Sequence, residues 1–405
     1  MFHEDVASNY KCDTNIIIDV STIASTVDRP FGQRVNGGHP HVDEIRVAII
    51  GGAGFMGKAH SFAWSLAAVQ SSSPRQIVKQ VLVELDAAGA EKAARALGWI
   101  ESATDWKLVI DRDDIDIVDI VTPPHTHAEI ARYAISRGKH VLSEKPLANN
   151  AGDVSAMVAA AAAGSVATQV GFNYRHNAAV QLAQRLIADG EIGRVLQVRF
   201  EYLQDAAFGA MGWRAHRATG GSGASSDIGS HIVDLAHYLL GEITSVAAAL
   251  QVLPLSEDDD HDVDDAGAFL ARFEDGALGV FSFSQKAWGQ NNHIRFEIDG
   301  TRGALAFDWN RRDELEVYLR SDDAPRGFTT VHVDGSTPGT WFDLNGIGTG
   351  YLESSANQMI QLVSTITQGT ANSPTFAEGA YVQRVIDAVW ASDAAGSTWS
   401  DVAGR

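Results

Sequence analysis

Apolar residues along this chain follow two patterns, and one gives way to the other near residue 190. From 45 to about 165, short apolar runs alternate with helical stretches. Ile45-Arg46-Val47-Ala48-Ile49-Ile50 reads as a strand, followed by a glycine turn and a helix over 57–69. A polar loop over 70–76 leads to a strand over 81–85 and a helix over 90–97. Residues 117–121 are almost continuously apolar, as in a parallel strand buried on both faces. A helix over 128–137 closed by Gly138, a strand over 140–143 and a helix over 153–163 continue the series. Alternation of this kind predicts a doubly wound, parallel α/β sheet.

After a helix over 178–189 the pattern changes. Alternating or β-branched runs recur at 195–203, 244–252, 268–273, 277–284, 293–299, 304–307 and 314–319, with turns such as Glu274-Asp275-Gly276 between them. They predict a second α/β domain with a large, mostly antiparallel sheet, one face of it covered by helices at 228–240, 353–368 and 378–391. Residues 1–44 carry no clear period and form an extension without an assigned role. The expected division is therefore 1–44, a doubly wound domain over 45–168, and a domain built on the antiparallel sheet over 169–405.

Composition narrows the function. A chain of 405 residues has room for two or three domains. A net charge of −20 with no Lys/Arg cluster argues against nucleic acid or an anionic membrane as partner. No apolar run is long enough to span a bilayer. The single cysteine, Cys12, permits no internal disulfide and no cysteine-based metal site, and the polar, acidic N-terminus does not read as a signal peptide. A reducing, cytoplasmic location is expected. His39 and His41 lack a third ligand, so no metal is expected there. The acidic run over 257–265 does not have the ligand spacing of a calcium loop and reads as a solvated segment.

The candidate chemistry gathers at predicted strand ends. Gly52-Ala53-Gly54-Phe55-Met56-Gly57 lies between a strand and a helix, where glycines let a pyrophosphate approach the backbone and rest on the helix N-terminus. Asp86 ends the second strand, where a carboxylate accepts from a ribose 2′-hydroxyl and repels a 2′-phosphate; NAD is expected rather than NADP. The same residue could cap the next helix. Its distance from the glycine turn exceeds the usual interval, and the loop over 70–76 is expected to hold much of the excess. Thr122-Pro123-Pro124-His125-Thr126-His127 follows another strand, a stiff loop suited to lining a nicotinamide site, with His127 expected to serve as a structural hydrogen-bonding residue. Glu144-Lys145-Pro146 ends the next strand, where the ammonium could hold a substrate hydroxyl. In Gly220-Gly221-Ser222-Gly223-Ala224-Ser225-Ser226-Asp227-Ile228-Gly229-Ser230-His231, Asp227 is expected to start a helix and His231 to share its face, so that the carboxylate raises the basicity of the imidazole.

Taken in order, GxGxxG, the Glu-Lys-Pro at a strand end and the glycine-rich D-x-G-x-H resemble the glucose–fructose oxidoreductase/inositol dehydrogenase/MocA family over about residues 45–395. The resemblance implies a Rossmann domain followed by a domain whose open sheet face forms a dimer or tetramer. It also implies a catalytic set of Lys145, Asp227 and His231, with His231 as the acid/base, Asp227 its partner and Lys145 polarising the oxygen. Gly52, Gly54, Phe55, Met56, Gly57, Asp86, Thr122, Pro123, His127, Glu144 and Lys145 are the expected cofactor contacts. Gly171-Phe172-Asn173-Tyr174-Arg175, Tyr202-Leu203-Gln204-Asp205 and Trp213-Arg214 are similar to the levoglucosan and inositol dehydrogenase branch. Asn173, Tyr174, Gln204, Trp213 and Arg214 are then pocket candidates beside Lys145, Asp227 and His231, with core packing the competing role for Tyr174 and Trp213; Trp288 and Gln290-Asn291-Asn292 follow with less support. The implied activity is NAD-dependent oxidation of a secondary ring hydroxyl of a pyranose or cyclic polyol: levoglucosan, an inositol, or a glucoside at C3. Two other functions share this fold. A glycoside hydrolase that oxidises transiently would release aglycone without net NADH, and a dinucleotide-binding sensor would not need Lys145, Asp227 and His231 together.

Overall fold

The computed structural model describes residues 43–403, apart from 207–211, 255–260, 322–325, 343–346 and 348–349. The extension, with Cys12, His39 and His41, lies outside the described residues. The first half forms β1 (Glu44–Ile50), α1 (Phe55–Gln70), β2 (Gln76–Val83), α2 (Ala87–Leu97), β3 (Glu101–Ala103), α3 (Trp106–Ile110), β4 (Ile117–Ile120), α4 (His127–Ser136), β5 (His140–Ser143), α5 (Ala151–Ala163) and β6 (Thr168–Val170). Its strands make one parallel sheet in the order β3-β2-β1-β4-β5-β6. The order reverses direction at β1/β4, and beyond the carboxyl ends of the strands at such a point lies the crevice where ligands bind in open α/β sheets.

Side-chain alternation decides which helices cover which face. Ile45, Val47 and Ile49 of β1 share a cluster with Ala63, Trp64 and Ala67 of α1, whereas Ala48 and Ile50 join a cluster with residues of α3, α4 and α5. β4 is buried at every position, as its unbroken apolar run predicts.

The second half runs α6 (Ala178–Ala188), β7 (Val195–Leu203), α7 (Arg217–Gly220), α8 (Ser230–Leu240), β8 (Ile243–Gln251), β9 (Ala266–Phe273), β10 (Leu278–Ser284), β11 (His293–Gly300), β12 (Gly303–Asp308), β13 (Glu314–Leu319), β14 (Thr329–His332), α9 (Tyr351–Gln368), α10 (Phe376–Ala394) and β15 (Ser400–Asp401). Its strands form one sheet, β14-β13-β12-β11-β7-β10-β9-β8-β15, antiparallel except for β7 with β10. Phe269, Phe281 and Phe200 stack across three neighbouring strands at 4.4 and 5.2 Å, the centre of a wide apolar layer.

Three expectations need correction. The helix over 353–368, here α9, does not cover the antiparallel sheet: Ala356, Met359, Leu362 and Val363 pack with α1 and β1 of the first sheet. α6 joins α8 and α10 over the second sheet instead. β2 begins at Gln76 and α1 runs to Gln70, so the residues separating the glycine turn from Asp86 lie in a longer helix and strand rather than in a long loop. The end of the acidic run is buried rather than solvated. Asp264 accepts from the Gly223 and Ser225 amides at 2.9 and 2.7 Å, and Asp265 pairs with His261 at 2.8 Å.

Candidate active site

The glycine loop follows β1, and Gly54 stands at the N-cap of α1. A Cβ on Gly57 would lie 2.3 Å from the backbone carbonyl of Gly52, so this helix turn can approach the loop only as glycine. A Cβ on Gly54 would meet nothing nearer than 3.9 Å, which leaves that amide edge open to a ligand. Phe55 is exposed at the start of α1 and Met56 half-buried, its Sδ 3.7 Å from the Tyr351 hydroxyl. This open, glycine-lined helix N-terminus fits a dinucleotide pyrophosphate.

The acidic residues after β2 divide their work. Asp86 is exposed and caps α2, accepting from the Gly89 amide at 2.6 Å. Glu84, passed over in the sequence, accepts from the Ala53 amide of the glycine loop at 3.0 Å. Its signal was its place, the first residue past β2.

After β4, Thr122 accepts from the Thr126 hydroxyl at 2.6 Å and Pro123 precedes a short 3₁₀ turn over Pro124–Thr126. His127 is fully buried between the carbonyls of Thr122 (2.8 Å) and Pro146 (3.1 Å). Burial holds its imidazole below the usual range, and the ring ties this loop to the one after β5. Glu144 turns into the protein: Oε1 lies 3.1 Å from His60 Nε2, and Oε2 accepts from the Lys145 amide.

Lys145 reaches across to the second half of the chain. Its Nζ donates to the Asp227 carboxylate at 2.8 Å and to the Asp227 carbonyl at 2.5 Å. The other carboxylate oxygen accepts from Gln285 Nε2 at 2.7 Å, a partner the sequence reading missed because it stands past the end of β10. Burial opposes the charge on Asp227, but Lys145, with Arg214, holds its carboxyl below the usual range. Asp227 does not start the helix. It lies inside a π-helical turn over Ser225–Gly229 that Asp264 caps from below and that runs on into α8.

His231 is one turn further and 5% exposed, boxed by Tyr174 (4.9 Å), Phe172 (5.6 Å) and Tyr202 (5.9 Å). Among the described residues, its buried Nδ1 has no hydrogen-bond partner. The Asp227 carboxylate acts in the expected direction, raising the basicity of the imidazole, but it does not prevail. Burial, aided by the Lys145 charge, outweighs the carboxylate and pushes the imidazole well below its ordinary value.

The pocket candidates separate. Tyr174 is buried, its hydroxyl held by Tyr202 at 2.9 Å and by Asn292 Nδ2 at 3.0 Å. Gln204 donates to Asn292 Oδ1 at 2.7 Å, so these side chains form one polar wall beside His231. Asn292 adopts a left-handed backbone, φ 53°, at the hub of that wall. Asn173 donates to the Tyr351 carbonyl and to Ser355 Oγ (3.0 Å), anchoring the first turn of α9. Arg214 is exposed and close enough to influence Asp227, while the side chain of Trp213 lies outside the described residues. Trp288 and Asn291 are exposed, and Gln290 bonds His293.

A six-stranded parallel sheet with this glycine loop, followed by a mostly antiparallel sheet and the π-helical turn and α8 that supply Asp227 and His231, defines a dinucleotide-dependent oxidoreductase. The family models agree. Residues 45–172 match the oxidoreductase family with an NAD-binding Rossmann fold, and residues 180–306 match the GFO/IDH/MocA C-terminal domain. The chain belongs to the GFO/IDH/MocA family. It is 39% identical over 388 residues to levoglucosan dehydrogenase of Pseudarthrobacter phenanthrenivorans, covering 89% of this chain and 99% of that one. Inositol 2-dehydrogenase of Rhizobium meliloti is 26% identical, over 85% of this chain and 95% of its own. Among solved structures, levoglucosan dehydrogenase in complex with NADH and levoglucosan superposes with a TM-score of 0.85 at 40% identity, covering 89% of this chain and all of that one.

Proposed function

We propose that this protein is an NAD-dependent dehydrogenase that oxidises a secondary ring hydroxyl of a pyranose or cyclic polyol to a ketone, with levoglucosan the leading substrate. The observation that carries the reading is the Lys145–Asp227 pair at 2.8 Å, with His231 one turn beyond it, at the rim that holds the glycine loop. Likeness over nearly the full length to levoglucosan dehydrogenase supports the substrate class.

A bound NAD would supply the hydride acceptor for the carbinol carbon. The chain's own residues handle the proton and the geometry. His231, neutral at pH 7 because burial and the Lys145 charge disfavour its imidazolium, receives the hydroxyl proton. Lys145 donates to the substrate oxygen and stabilises the charge that develops there. Asp227, held by Lys145 and Gln285, fixes the direction of the ammonium. Glu84, beside the glycine loop, is the better placed carboxylate to meet the ribose, and Asp86 mainly caps α2.

The test is the absorbance of reduced nicotinamide with purified protein, NAD or NADP, and a panel of levoglucosan, inositols, glucose and simple glucosides. A rise with one cyclic polyol and NAD is expected. No rise with any member, although NADH binds, would replace this reading with that of the hydrolase or the sensor.

A further inference from the structure

His60 takes no part in the chemistry above, yet it lies buried between two carboxylates, one of them the neighbour of Lys145 in the chain. It lies on α1, three residues past Gly57, and is 4% exposed. Its Nδ1 is 2.9 and 3.0 Å from the two carboxylate oxygens of Asp119 on β4, and its Nε2 is 3.1 Å from Glu144 Oε1. A neutral imidazole has a single N–H and would turn a lone pair toward one of these carboxylates. Burial disfavours the charge, but the two carboxylates prevail and hold the imidazolium up to about 10. Trp64, one turn along α1, donates to Asp119 Oδ2 at 2.8 Å. On the far side, Glu144 Oε2 accepts from the Lys145 amide at 3.1 Å, and a Cβ on Gly171 would lie 2.5 Å from Glu144 Oε1. The chain of contacts therefore runs from Asp119 through His60 and Glu144 to the backbone of Lys145, and through its side chain to Asp227.

Packing alone does not account for such an arrangement. A buried ion cluster is weak evidence of stability, since apolar side chains of similar volume often serve as well or better. What apolar side chains could not do is orient a carboxylate against one particular amide. We propose that His60 is a positioning residue for the reaction: it locks Glu144, which sets the backbone of Lys145 and thereby the ammonium that meets the substrate oxygen. Because His60 sits on the helix whose first turn faces the dinucleotide, the same link registers Lys145 against the cofactor seat. The inference rests on the reading of Lys145 as the group that meets the substrate hydroxyl.

The experiment compares His60→Gln, Glu144→Gln, Lys145→Ala and the double variant His60→Gln/Lys145→Ala in the full chain, using the sugar that is active in the absorbance panel. In His60→Gln, kcat is expected to fall roughly tenfold to a hundredfold, the scale of a small misplacement of a reacting group. The NADH dissociation constant and the sugar KM should stay within about threefold, a split that general loosening of the fold would not give. In the Lys145→Ala background, adding His60→Gln should leave the residual turnover unchanged, because a residue acting through Lys145 has nothing left to position. A second full loss in that background would overturn the proposal, as would an unchanged kcat in folded His60→Gln. A further readout needs no substrate: labelling of the Lys145 amine by acetic anhydride, followed by peptide mass, should speed up several-fold in His60→Gln once the ammonium loosens from Asp227. Equal labelling rates count against the idea. If His60→Gln does not fold, Glu144→Gln reads the same link from its other end: a drop in kcat supports the proposal and an unchanged kcat in the folded variant overturns it. Wild-type turnover in Lys145→Ala alone would instead bring down the reading of Lys145, separately from His60.

Discussion

At the scale of single residues, the site is built from charges that neutralise one another. Lys145 and Asp227 hold each other in a direct ion pair, and burial, aided by the Lys145 charge, keeps the imidazole of His231 well below its ordinary range. Removing either Lys145 or His231 should therefore stop the chemistry and spare the cofactor seat. For Lys145→Ala and His231→Ala, turnover is expected to fall by at least about a hundredfold, the scale of acid–base and electrostatic contributions. NADH fluorescence titration should show binding close to wild type; turnover near normal in both variants would sink the assignment. The two acidic residues after β2 make a second residue-level contrast. Glu84→Ala should narrow the preference for NAD over NADP, because it removes the carboxylate nearest the glycine loop. Asp86→Ala should leave the preference largely intact and cost about 0.5–2 kcal/mol as a lost helix cap, readable in a denaturant melt. A preference ratio that moves with Asp86 and ignores Glu84 would reverse the two roles.

At the scale of elements, the cofactor seat depends on how closely α1 approaches its own loop. Gly57→Ala places a methyl 2.3 Å from backbone atoms of Gly52, so the loop or the helix must shift, at a cost of about 1–3 kcal/mol. Both melting temperature and NADH affinity should fall. Gly54→Ala has open space and an ordinary backbone conformation at φ −71°, so its melting temperature should match wild type while its NADH affinity drops. Equal behaviour of the two variants would mean that the loop does not face the dinucleotide. Four strands of this half were legible because their apolar runs matched their burial, as in the fully buried β4, whereas the three-residue β3 and β6 carried no such run and were missed. α9 was not assigned correctly: its apolar stripe shows only that one face is buried, and both sheets offered an apolar surface to receive it.

At the scale of the whole molecule, buried histidines shape the response to pH. His60 is held protonated up to about 10 by Asp119 and Glu144, whereas in the unfolded chain it loses its proton near 6.5. Between those values the native state binds a proton that the unfolded state does not, so this contribution to stability is complete below about 6.5 and drains away as pH rises towards 10. His176 works in the opposite sense. Burial, with the Arg175 charge, pushes its imidazole down to about 3, so as pH falls from about 6.5 towards 3 the unfolded chain takes up a proton that the native state refuses. Melting temperature should therefore decline on both flanks of neutrality. His60→Gln should flatten the alkaline limb and leave the acid limb in place; an unchanged alkaline slope in that variant would show that other groups govern it.

The linear chain by itself determined the two architectures, the glycine fingerprint, the strand end that carries Lys145 and the spacing of Asp227 and His231, because period, glycine placement and turn residues are local properties that read along the backbone. It also marked Tyr174 and Gln204, although not that their polar groups bond to one another and to Asn292. Contacts far apart in sequence were decided only by the tertiary structure. Asp264 caps the π-helical turn from 39 residues away, Gln285 holds Asp227 across 58, and His60 reaches Glu144 across 84. The depressed basicity of His231 belongs to the same class. Spacing placed a carboxylate near the imidazole, but the sign of the shift came from burial and from the ammonium of Lys145, which only the folded chain brings into range.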